Sequence, residues 1–98
     1  MSALLDRLAA ELTAARKAQD KPQTLLLGTI LADARNREIE LKRALVDDDV
    51  VDVLRKGVKK RRESVEAYTQ AGRTELAGQE AAEVAMLERY LPAMASED

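Results

Sequence analysis

The chain has 98 residues, enough for about one small domain, which argues against a two-domain enzyme with a cleft between its halves. It has neither cysteine nor histidine, so disulfide frameworks, thiolate nucleophiles, zinc fingers and His-based acid/base or metal sites are excluded as well. Sixteen basic and eighteen acidic side chains leave a net charge of −2, so the molecule as a whole has little attraction for nucleic acid.

The apolar content is 46%, with 17 Ala, 14 Leu and 7 Val but only Tyr68 and Tyr90 as aromatics. A core of that make-up is built by helices packed through Leu and Ala. Apolar residues recur at three- and four-residue spacing throughout, and no Val/Ile/Thr-rich run alternates as a half-buried strand would. The prediction is all-α, an antiparallel four-helix bundle with helices at about 3–19, 22–45, 48–71 and 75–91.

Ser2 is placed to cap the first helix, whose Leu4, Leu8, Leu12 and Ala15 share a face with Leu5 at its edge. Asp20, Lys21 and Pro22 restart the chain, because proline fits the first turn of a helix and disfavours helix in the residue before it. The second helix turns Leu27, Ile30, Leu31, Ala34, Leu41 and Leu45 inward, and its isolated Gly28 suggests a close helix crossing.

Asp47, Asp48 and Asp49 precede Val50 and Val51 as the start of a third helix, where carboxylates cap orphan N–H groups and complement the dipole. That helix carries Val50, Leu54, Val58, Val65 and Tyr68 inward and stops at Gly72. Thr74 is the expected cap of the last helix, which faces Leu76, Val84, Leu87 and Leu91 inward until Pro92 ends it. Residues 1–92 are thus the bundle, and 93–98 a tail or the start of a linker. No apolar run reaches the length of a membrane span, so a cytoplasmic chain without membrane contact is expected.

Several charges fall on apolar faces. Arg61 lies within the stripe of the third helix, Glu38 between Leu31 and Leu45, and Glu80 and Glu83 with Leu76 and Leu87. A buried lone charge costs several kcal/mol, so these groups are expected to form an ion-pair network around Arg61 that fixes which helices are neighbours. A carboxylate metal site is the weaker reading: there is no Glu-x-x-His motif and no EF-hand spacing, so no metal and no cofactor are expected.

Residues 55–62 carry a charge of +6, between −4 over 46–54 and −6 over 63–98. Apart from Arg61, the cations Arg55, Lys56, Lys59, Lys60 and Arg62 spread over the outward half of the third helix, a surface suited to phosphates. The competing reading is a solvated face with i,i+4 pairs, Lys59 with Glu63 and Arg62 with Glu66, and no aromatic residue interleaves the cations to stack on bases.

The run from Lys56 through Arg61-Arg62-Glu63-Ser64 to Tyr68, then Ala71-Gly72-Arg73 and Tyr90-Leu91-Pro92, resembles the amino-terminal part of the GatB/YqeY family. Ala18 to Lys21, the stretch Asn36 to Glu40 and the Asp-rich start of the third helix support it. The resemblance implies a four-helix bundle followed by a three-helix domain related to the tail of the tRNA-dependent amidotransferase B subunit. It further implies tRNA or amidotransferase components as partners and a carbon–nitrogen ligase label by inheritance, but not catalysis by this chain. No phosphate-cradling Gly-rich loop, Ser-Ser-Lys constellation or cysteine nucleophile is present, so no catalytic residue is assigned. The family often has Ser or Thr where Val46 stands, leaving Asp47 as the expected lone cap of the third helix. A self-associating or helix-docking interaction module without a nucleic-acid role is the alternative.

Overall fold

The computed structural model describes residues 2–92; the tail expected at 93–98 lies outside them. The chain is all-α, with α1 Ala3–Lys17, α2 Lys21–Leu41, α3 Asp47–Gln70 and α4 Thr74–Glu88, and no strand among the described residues. The four helices that a bundle requires are present. The described residues form two compact units, divided between Val53 and Leu54.

In the first unit α1 packs on α2. Leu8, Leu12 and Ala15 of α1 and Leu26, Leu27, Ile30 and Ala34 of α2 are buried, each leucine or isoleucine gaining about 1.5–3 kcal/mol by leaving water and each alanine less. The turn between them ends α1 two residues earlier than predicted, because Gln19 takes the left-handed conformation at φ 58°. The Asp20 N–H donates to the Ala15 carbonyl and the Gln19 N–H to that of Arg16, a Schellman closure built without glycine. Asp20 then caps α2 by accepting from the Gln23 N–H at 3.2 Å, and Pro22 fills the first turn.

Helix α2 stops at Leu41, four residues short of the prediction. Lys42 adopts φ 57° and its N–H closes on the Glu38 carbonyl. Leu41 is consequently half out in solvent, whereas Leu45 is 2% exposed although it belongs to the connection rather than to a helix. Gly28 is also corrected: nothing lies within 4 Å of where its Cβ would stand, so no close crossing explains it. It weakens α2 by about 1 kcal/mol relative to alanine and faces open space.

The start of α3 is organised by two aspartates in separate ways. Asp49 accepts from the Val46 N–H at 2.9 Å, the reciprocal half of a capping box, and takes both Nη atoms of Arg43 at 2.8 and 3.1 Å. The Arg43 guanidinium and the Val46 amide hold its carboxyl at about 2, and the pair raises Arg43 in turn. Asp47 does not cap α3, contrary to expectation. Its carboxylate accepts from the Ser2 hydroxyl at 2.5 Å and the Leu4 N–H at 3.1 Å, while Ser2 Oγ accepts from the Leu5 N–H at 3.0 Å. The amino end of α1 thus has a cap that is itself held from α3, and those bonds keep the Asp47 carboxyl below the usual carboxylate range. Arg37 on α2 adds an ion pair to Asp52 at 3.0 Å.

In the second unit α3 continues through buried Leu54 and Val58, and α4 contributes Ala77, Val84 and Leu87, followed by buried Tyr90. The short turn between the helices runs through Gly72 at φ 74°, with the Arg73 N–H donating to Tyr68 and the Gly72 N–H to Thr69. Thr74 is the first helical residue, not the cap: Arg73 holds that position and makes no side-chain cap bond. Helix α4 ends at Glu88 rather than 91, its continuation tightening into i→i−3 bonds from Tyr90 to Leu87 and from Leu91 to Glu88.

Candidate functional site

The basic block of α3 separates into one inward and five outward cations. Arg61 keeps only 13% of its side chain exposed. Its Nε donates to Glu83 Oε1 at 2.8 Å and one Nη to the Gly57 carbonyl at 3.1 Å. The ion pair ties α3 to α4 inside the second unit. Glu80, three residues before Glu83 on α4, is half-buried, while Glu38 stands exposed on α2 in the first unit.

Arg55, Lys56, Lys59, Lys60 and Arg62 are all exposed. Arg62 pairs with Glu88 of α4, whereas the solvated-face reading had paired it with Glu66. Lys59 and Lys60 form no ion pair among the described residues, which makes them the cations of the block with most freedom to meet a partner. Arg55 and Lys56 extend the same outward surface by one turn. A helix face of this kind offers a line of positive charge to a phosphate backbone, and its ammonium groups act as hydrated point charges rather than as a shaped pocket. Among the described residues, no three acidic side chains come together in a way that could hold a metal ion. No helix among the described residues is long and apolar enough to cross a membrane.

Sequence reasoning left out a second cluster. A cleft of about 460 Å³ between α1 and α2 is lined by Leu12, Arg16, Gly28, Leu31, Ala32, Arg35 and Asn36. The signal for it was the isolated Gly28, given to packing when its face is open.

A four-helix chain whose third helix turns one arginine inward and several cations outward is a helical module with a basic face. The chain belongs to the family described as YqeY-like protein, whose match covers residues 5–98. It is also similar to an uncharacterized protein of Schizosaccharomyces pombe, 31% identical over 80 residues. That similarity takes in 82% of this chain, which spans 65% of the relative's length.

Proposed function

We propose that this chain is an accessory helical module, without catalysis of its own, that holds tRNA on the outward face of α3 in connection with tRNA-dependent amidation. The observation that carries the reading is the separation of charges within residues 55–62: Arg61 is drawn in by Glu83, and Lys59 and Lys60 stand exposed with Arg55 and Lys56 beside them. Concentrating cations on one face of a net acidic protein gives electrostatic binding a defined location. The family resemblance supplies the partner class. Gel-shift titration of tRNA tests it: K59E/K60E is expected to weaken retention by about tenfold or more, and affinity of the parent should fall steeply as salt rises. Retention that ignores both the double reversal and salt would refute the proposal.

A second reading, a self-associating module, is favoured by Leu25 and Ile39 of α2, which are 72% and 66% exposed and share one helix face. Light scattering on the parent and on L25E/I39E distinguishes it, since this reading requires a salt-insensitive oligomer that the double change dissolves.

A further inference from the structure

The cleft between α1 and α2 brings together two arginines and a glycine, of which the fold accounts for Arg16 alone. Arg16 and Arg35 both line it, both are exposed, and neither forms an ion pair among the described residues. Arg16 lies in the last turn of α1, where a cation offsets the dipole, but Arg35 lies within α2 and has no such role. Gly28 lies on the same wall, in a helix interior with neither a positive φ nor a close neighbour to require it, and it faces open space. The rest of the lining is Leu12, Leu31 and Ala32 with the Asn36 amide, which both donates and accepts.

We propose that this cleft binds an organic phosphate of nucleoside monophosphate size, with its phosphate between Arg16 and Arg35 and its base over Gly28, Leu31 and Ala32. Two guanidiniums match the double charge of a phosphate monoester, and each presents a planar fork to its oxygens; a single carboxylate would leave one of them unmatched. The volume lies within the range of small-molecule sites, about 300–1,000 Å³, and exceeds what a bare anion fills. The apolar floor accepts a flat ring, and Asn36 can read a base edge or a hydroxyl.

The site shares no residue with the basic face of α3, so the two can be tested independently. Titrating the full chain with AMP while recording amide NMR spectra should move the signals of Gly28, Leu31 and Ala32. R16Q and R35Q should each weaken AMP binding by about tenfold, because each removes one charged hydrogen-bonding partner. G28L, which places a side chain in the open space, should abolish binding while G28A keeps the helical circular dichroism. K59E/K60E should leave AMP affinity unchanged, so this result stands or falls apart from the tRNA reading. Inorganic phosphate binding as tightly as AMP, shifts confined to other residues, or unaltered affinity in R16Q and R35Q would each overturn the proposal.

Discussion

Ser2 and Asp47, 45 residues apart, share a 2.5 Å hydrogen bond in which the serine hydroxyl donates to the carboxylate while its own oxygen caps α1. The cap of the first helix therefore depends on a residue from the start of the third. Ser2→Ala should cost about 1 kcal/mol, the usual worth of an N-cap. Asp47→Ala should also destabilise, and the double variant should lose less than the two single losses together, because both changes break the same bond. Urea denaturation of the four proteins measures this, and strict additivity would contradict it.

Acid should weaken the first unit over a defined range. The Asp49 carboxyl is lowered from 3.8 to about 2 by Arg43 and the Val46 amide, and Asp47 is lowered by Ser2 and Leu4. A group with a depressed folded pKa binds fewer protons folded than unfolded, so its contribution is complete above about 4 and is lost as pH falls toward 2. Thermal melting from pH 5 to 2 should show this decline, with a shallower slope in Asp49→Asn. An unchanged slope would mean that the Arg43 pair contributes nothing to it.

The Arg61–Glu83 pair is poorly exposed on the arginine side, so breaking it leaves a charge with little water to replace its partner. Glu83→Gln should cost roughly 1.5–3 kcal/mol, the range for hydrogen bonds to charged groups. Arg61→Met together with Glu83→Leu should recover much of that loss, since replacing both partners by apolar groups is often neutral. Chemical denaturation decides; a double variant as unstable as the sum of its parts would assign the loss to packing instead.

Two turn positions and one helical position test the backbone conformations. Gly72→Ala should destabilise by about 1 kcal/mol because φ 74° strains any side chain, although nothing obstructs a Cβ there. Gly78→Ala, within α4 and equally unobstructed, should stabilise by roughly 0.5–1 kcal/mol. Gln19→Gly should stabilise as well, by relieving φ 58° at the end of α1. Opposite signs for the two alanine changes are the expected melting result.

Helix number, the Ser2 cap, the restart at Asp20 to Pro22 and the stop at Gly72 were legible because each rests on local chemistry: side-chain oxygens, a ring without N–H, and a residue without Cβ. Helix ends closed by Gln19 and Lys42 were not, since neither residue type announces a left-handed conformation. Leu45 shows the same limit from another side. Its apolarity correctly marked burial, yet periodicity assigned it to α2 when it belongs to the connection. Arg61 stood out as inward because five apolar residues share its stripe, but a helical wheel cannot choose among the acids of other helices. The double use of Asp47 and Asp49 was obscured by three like residues in a row, although Val46 and Asp49 have capping-box spacing.

Leu45 also governs where this chain can change length. With its side chain anchored in the interior and Arg43 clamped to Asp49, the joint between α2 and α3 has a fixed span, and an added residue there would pull the plug out of register. The bend at Ala71 to Arg73 consists of exposed residues alone, and it is at this corner that insertions or affinity tags are best accommodated.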